Sequence, residues 1–439
     1  MVDTISSLEP RLQKRYQQLV KQHLAATEPI AAGLRALPAT SSAFASTQAA
    51  WRFYANPDVT LQALASPLID SAREVIYNDS LAYALCIHDW TDLNYKNHST
   101  KEGRIEIGSK GTLGYQVQTA LIISDRDGRP IAPVCQSLWA DEAIHTSRSE
   151  KVQPPAPQID ELTQSINYVD QLGLTRPVVH IIDRGADSVG HYREWSDLGT
   201  LFLVRADARQ RVEHQGHNIL LGDVVDNLEF KASRSVDVNG VVGMQFVAET
   251  EVRITRPARP HRQRKGVVEP RQAIKGEPIT MRLIVTRIRA ADEGLLSEWF
   301  LYTNVASKVE AETIALWYYW RWKIESYFKL IKSAGHHLEQ WQQQKPQACA
   351  LRLLIASQAC VVVWQLARAT TEEARRARML LVRLSGRQMG WGKVFTEPAL
   401  LAGMWVMLAM LDALEQYKVS EIRSIAKTIL QDFGRSGSG

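Results

Sequence analysis

The sequence predicts a mixed α/β protein: a sheet with helices on its faces, interrupted by a β-strand insertion and flanked by helical regions at the amino and carboxyl ends. Three observations lead there. Short apolar runs of strand length alternate with helical periods between residues 81 and 204. Residues 210–298 alternate in short strands, and the chain before residue 72 and after residue 301 is helical in pattern.

Residues 1–72 form the first region. Residues 9–25, rich in Arg, Lys and Gln, and residues 42–54 carry helical texture without strand alternation. Asn56-Pro57-Asp58 stops the second of these, because Pro57 biases Asn56 away from the helical region. Thr60 then caps a further short helix. Such a module serves either as a DNA reader or as a packing domain.

Residues 73–209 hold the first part of the sheet. Tyr83-Ala84-Leu85-Cys86-Ile87 reads as a strand that ends at His88-Asp89. Residues 114–124 and 130–138 pair as a hairpin across Asp125-Arg126-Asp127-Gly128. A helix over 159–172 leads to a buried strand over 177–182 that ends at Asp183, then to a helix over 189–198 and a third strand over 201–204. Strand, hairpin, helix, strand, helix, strand describes one mixed sheet.

Residues 210–298 are the insertion, with strands at 241–252 and 279–287 around a Pro- and Arg-rich segment. From Arg256 to Lys275 there are seven basic residues against one acidic, Glu269. That stretch is either a solvated loop or an arm that tracks phosphates. Residues 299–369 complete the interrupted domain, 370–434 form a helical region suited to dimerisation, and 435–439 read as a flexible tail or expression remnant.

At 439 residues the chain can build two or three cores. With 45% apolar and 23% charged residues it has the composition of a globular protein, which sets disorder aside. The net charge of +5 is compatible with nucleic acid as a partner. Four cysteines without CxxC spacing argue against a zinc site or a disulfide framework and fit a reducing cytoplasm. The first residues have no basic and apolar leader pattern. The longest apolar run, over 399–414, contains Gly403 and Asp412 and reads as a buried helix, so no membrane is expected.

Chemistry concentrates at three places. Asp89 and Asp183 each follow an apolar strand, where ligands gather in open sheets, and two such carboxylates repel unless a cation sits between them. On a helix beginning near Thr313, Tyr318, Arg321, Glu325, Lys329 and Lys332 share one stripe, beside an apolar stripe of Trp317, Trp320, Ile324, Phe328 and Ile331. A solvated face of i,i+4 ion pairs would not account for Tyr318, or for cations before and after a single Glu. An acidic metal ligand flanked by phosphate-binding cations describes it better. His336-His337 reads as a loop or cap, and His88 and His180 as core histidines.

The segment from Tyr318 to Lys332 fits Y-x2-R-x3-E-x6-K and resembles the YREK signature of the insertion-sequence-four superfamily of DDE transposases. Trp51–Pro57, His88-Asp89-Trp90-Thr91-Asp92-Leu93-Asn94-Tyr95, Ile182-Asp183-Arg184-Gly185-Ala186-Asp187 and Trp299-Phe300-Leu301-Tyr302-Thr303-Asn304 resemble further family segments in the same order. Gly185 departs from members with an acidic residue there, and the carboxyl-terminal region matches only loosely.

The resemblance implies an RNase H-like catalytic domain with the triad Asp89, Asp183 and Glu325 holding two magnesium ions, for which manganese would substitute. It implies a cut-and-paste enzyme acting on inverted-repeat ends of double-stranded DNA, through a hairpin intermediate, as a homodimer in a synaptic complex, with no small-molecule substrate. Tyr318, Arg321 and Lys332 would contact end phosphates, with Lys329 and Arg205 as further ligands. Trp299 is either a ring that stacks on a flipped base or a core aromatic. Other readings are a nuclease without strand transfer and a catalytically silent DNA-binding inhibitor of transposition.

Overall fold

The computed structural model describes residues 7–24, 43–108, 111–154, 158–238, 240–258, 273–390 and 392–435. They fall into two compact units, residues 61–328 and residues 1–60 with 329–439. Most of the basic segment, residues 259–272, lies outside the described residues, so only its ends Arg256 and Lys275 are placed.

In chain order, helices α1 (Pro10–Leu24), α2 (Ala43–Ala55) and α3 (Leu61–Asn78) precede strands β1 (Ala84–Asn94), β2 (Ile105–Glu106), β3 (Leu113–Ser124), β4 (Pro130–Trp139), β5 (Ile144–Thr146) and β6 (Glu150–Val152). Helix α4 (Gln158–Asp170), strand β7 (Val178–Ile182), helix α5 (Val189–Asp197) and strand β8 (Leu201–Arg205) follow. The insertion supplies β9 (Arg211–His214), β10 (His217–Leu220), β11 (Lys231–Val238), β12 (Val241–Ile254) and β13 (Ile279–Arg289), and β14 (Leu295–Thr303) returns from it. Then come α6 (Ala311–Tyr319), α7 (Lys323–Lys332), α8 (Pro346–Arg368), α9 (Glu372–Leu384), α10 (Glu397–Gln416) and α11 (Val419–Arg435).

Among the described residues the strands of the unit 61–328 form one sheet, in the order β10-β9-β12-β13-β14-β8-β7-β1-β3-β4-β5-β6, with β11 on β12 and β2 on β3. Among the described strands only β1/β7 and β7/β8 pair in parallel. Their sequences show why they sit at the centre: Val178–Ile182 is buried at every position, as are the first five residues of β1. A strand covered on both faces reads as an unbroken apolar run, not an alternation. The β3–β4 hairpin turns at Gly128, whose φ of +66° is the conformation that glycine adopts without strain. A Cβ there would also lie 2.4 Å from the ring of Trp320.

The insertion joins the central sheet, since β12, β13 and β14 continue it edge to edge. One apolar core explains it: Ile166, Trp195 and Phe202 of the central layers pack in a single cluster with Val252, Ile254, Met281 and Leu283 of the insertion. One expectation changes: the helix after Thr60 is not short. It runs eighteen residues, past residue 72, burying Leu61, Leu64, Leu68, Ala72 and Ile76 at helical spacing.

The unit of residues 1–60 and 329–439 is helical in its described residues. Helices α8 and α10 are long and apolar enough to cross a membrane. Most of α8 is buried within this unit, whereas α10 buries Ala399, Leu400, Leu401, Gly403 and Met404 and leaves Met410, Leu411 and Leu414 exposed. The expected buried helix is thus buried only in its first half. Gly403 is required there, since a Cβ would meet the Leu381 carbonyl oxygen at 2.0 Å.

This unit also closes over polar groups. The His23 ring lies 5.4 Å from that of His336 and 5.7 Å from that of Trp341, and the Arg352 guanidinium sits 3.8 Å over Trp341. His336 lies in a turn and His337 caps a 3-10 turn, as their position suggested, but the ring of His336 is buried like that of His23. Burial, then the Arg352 charge, holds both imidazoles below their ordinary pKa, His336 down to about 3. Both are neutral in the fold, while the unfolded chain takes up their protons below about pH 6.5. The stability they allow is full above that pH and is lost as pH falls toward 3. At pH 5 His336 should cost about 2 kcal/mol, and His23 adds a cost of the same sign. The urea midpoint of the full chain should accordingly be lower at pH 5 than at pH 7.5, and His336→Leu should shrink that difference. Equal midpoints at the two pH values would contradict it.

Candidate active site

The site begins with strand register. The parallel pairing of β1 with β7 runs from Ala84↔Val178 to His88↔Ile182 and stops there, so Asp89 and Asp183 are the next residue on each strand. Asp183 leaves the strand as the cap of a 3-10 turn, its Oδ1 accepting from the Arg184 amide at 2.7 Å. Asp89 does not end its strand, as the sequence suggested. β1 continues to Asn94 because β3 supplies a partner along its whole length, including Thr119 opposite Asp89. What ends at Asp89 is the pairing with β7.

Glu325 arrives from the other direction, in the first turn of α7. The expected continuous helix is broken: a 3-10 turn, Trp320–Trp322, separates α6 from α7. Trp320 packs against Gly128 of the β3–β4 turn, and the Tyr327 hydroxyl accepts from Gln136 Nε2 of β4 at 2.7 Å. A packing contact on one side of Glu325 and a buried hydrogen bond on the other fix it over the sheet.

Each carboxylate of the trio is held by a conjugate group. Arg321 donates from Nη1 to Asp89 Oδ2 and from Nη2 to Glu325 Oε1, both at 3.0 Å. The Tyr318 hydroxyl donates to Asp183 Oδ1 at 3.2 Å, and Arg205 Nη1 stands 3.9 Å from the same oxygen. The carboxylates face solvent unequally, with side-chain exposures of 22% for Asp89 and 43% for both Asp183 and Glu325. Burial pushes the Asp89 carboxyl up to about 6 against the Arg321 charge and the Trp90 amide, and the charges of Asp183 and Glu325 add to the rise. Burial works against the Arg321 cation, yet Tyr318 and the three carboxylates together keep it above its ordinary range. Burial, then Asp183, likewise raises Tyr318.

Asp89, Asp183, Glu325, Tyr318, Arg321 and Arg205 are thus brought together within the unit 61–328. Trp299 joins them from β14, 5% exposed, with its ring edge-to-face on Tyr318 at 5.3 Å. Lys329 and Lys332 count with the other unit, where Lys332 pairs with Glu339 at 3.3 Å. Sequence reasoning missed Trp322, 44% exposed and 5.2 Å from the Arg321 guanidinium. Its signal was its place beside the arginine of the signature, on neither stripe of the helix.

A family model described as the transposase DDE domain matches residues 82–359. The chain belongs to that family. The match begins just before β1 and ends within α8, so it spans every carboxylate and cation named above. No curated protein matches the chain. As a DDE transposase it is an enzyme of DNA transposition and recombination, with DNA as its partner, in a family that generally uses divalent metals.

The transposase keeps its three carboxylates close by placing Arg321 between two of them. Removing that cation should expose their repulsion. Arg321→Ala should lose about 3 kcal/mol of stability in chelator, discounted from a fully buried pair because Glu325 is partly solvated. Adding a divalent cation should recover more of the melting temperature in Arg321→Ala than in the wild type. An unchanged melt in chelator would show that the arginine does not balance the carboxylates.

Proposed function

We propose that this transposase is a cut-and-paste enzyme of the insertion-sequence-four superfamily, acting as a homodimer on the inverted-repeat ends of an insertion sequence in the bacterial cytoplasm. It cleaves those ends at Asp89, Asp183 and Glu325 with two magnesium ions, through a hairpin, and joins the 3′-hydroxyl ends to target DNA. The observation that carries the reading is the convergence of three carboxylates from β1, β7 and α7 on one arginine and one tyrosine. The order β4-β3-β1-β7-β8, antiparallel and then parallel, supports an RNase H-like core. The exposed Met410, Leu411 and Leu414 of α10 support a protein–protein contact there.

The donor set fits the ion. Three hard carboxylate oxygens suit magnesium, and a cation between them would offset the charges of Asp183 and Glu325 that add to the burial raising the Asp89 carboxyl. When bound, the ions supply an activated hydroxyl and stabilise the leaving oxygen. The rest is positioning by this chain. Tyr318, Arg321 and Arg205 orient the scissile phosphate against the carboxylates, and Arg321 can exchange a carboxylate for a phosphate oxygen without losing a charged partner. Lys329 and Lys332 add contacts to the transposon-end backbone.

Asp89→Asn, Asp183→Asn and Glu325→Gln should each lower cleavage of cognate ends at least about a hundredfold while leaving end binding nearly intact. Comparable cleavage by any one of them would remove that residue from the metal site.

The two tryptophans separate on stability. Trp299→Ala should cost about 3–5 kcal/mol and slow nicking and hairpin formation together, as loss of a core aromatic does. Trp322→Ala should keep its melting temperature and slow only the hairpin step, by about ten- to a hundredfold, as loss of one stacked base does. A well-folded Trp299→Ala defective in the second step alone would instead give the stacking role to Trp299.

A further inference from the structure

On β1 and β7 a second constellation stands apart from the three carboxylates. Cys86 and His88 are two residues apart on β1 and share one face of the sheet, while Asp89, the next residue, faces the other. His180 lies on β7 directly opposite Cys86 in the parallel register. Cys86 Sγ is 3.4 Å from His88 Nε2, which is 2.8 Å from His180 Nδ1, and all three donor atoms lie within 4.8 Å of one another. All three side chains are fully buried. We propose that Cys86, His88 and His180 form a structural site for a borderline transition-metal ion, zinc first, that ties β1 to β7.

The chemistry selects the ion. One thiol and two imidazoles suit zinc, cobalt(II) or copper and not magnesium, which takes oxygen ligands. An i,i+2 pair on one strand with a partner on the next presents three donors to a single point. The surroundings of His180 are those of a metal ligand. Its Nε2–H faces Asp170 Oδ1 at 3.0 Å, and the other oxygen of that carboxylate accepts from the Thr200 hydroxyl at 2.9 Å. A carboxylate on the far nitrogen fixes the tautomer and turns the Nδ1 lone pair toward the cluster.

Tetrahedral zinc needs about 3.6 Å between sulfur and nitrogen and about 3.3 Å between nitrogens. The Cys86 sulfur is already within about 0.2 Å of that spacing from His88 Nε2, and the two nitrogens must part by about 0.5 Å as the ion replaces their shared proton. On loading, Cys86 releases its thiol proton to solvent and the His88 proton moves from Nε2 to Nδ1, which is buried with no hydrogen-bond partner. No fourth His, Cys, Asp or Glu joins the cluster among the described residues, so the protein offers three ligands.

Because the site is closed, the ion has to enter as the chain folds. The full chain should therefore be expressed in medium supplemented with zinc, and separately with cobalt, then passed over a chelating resin. We expect about one equivalent of metal retained per chain and, with cobalt, the near-ultraviolet absorption of a thiolate–cobalt bond. The Asp89, Asp183 and Glu325 carboxylates cannot give that band, so the result does not depend on the function proposed above. Cys86→Ser should abolish it, and a variant with Cys135, Cys349 and Cys360 all changed to Ser should keep it. A folded wild-type chain with less than about a tenth of an equivalent and no band would overturn the site and leave a hydrogen-bonded core network. So would a band that survives Cys86→Ser.

Discussion

The parallel pairing of β1 with β7 breaks off after His88 and Ile182, and the placing of the catalytic candidates follows from that break. While the two strands pair, their side chains are apolar or, at Cys86, His88 and His180, bonded to one another. Where pairing ends, both chains present an aspartate. The buried strands fix the spacing of Asp89 and Asp183 because a slip of one residue would draw a carboxylate into the fully buried stretch. Helix α4 reinforces the same register through Asp170, which reaches both His180 and Thr200.

A site so organised gathers like charges at a cost in repulsion. Burial does most to raise the carboxyl of Asp89, the charges of Asp183 and Glu325 add to the rise, and Arg321 is the internal answer to both. An arginine is suited to this place because its planar fork can serve two carboxylates at once. Tyr318 performs the same service for Asp183 with a hydroxyl, and the Trp299 ring closes Tyr318 off from solvent. The same aromatic packing therefore serves stability and the orientation of the site.

The insertion enlarges this scaffold without founding a new one. Its strands continue the central sheet, and its apolar side chains enter the core that α4 and α5 already close. Arg205, at the end of β8, draws its position toward Asp183 from that continuity, since β8 pairs with β14 on one side and β7 on the other.

Several features were legible in the sequence alone. The buried strands around Ile87 and Ile182 were read from unbroken apolar runs, the hairpin from Asp127-Gly128, and the carboxylates and their cations from a helical stripe and a short signature. These are local properties, set by periods of 2 and 3.6 residues and by the conformational freedom of glycine. Tertiary structure decided what depends on partners distant in the chain. The extension of β1 through Asp89 to Asn94 required β3, and the fusion of the insertion with the central sheet required a shared core. The burial of Trp299 required Tyr318, and the meeting of His88 with His180 spans 92 residues. A sequence shows which side chains must be hidden and which can carry charge, but burial and ion pairing are made between elements, and their geometry exists only once the sheet has closed.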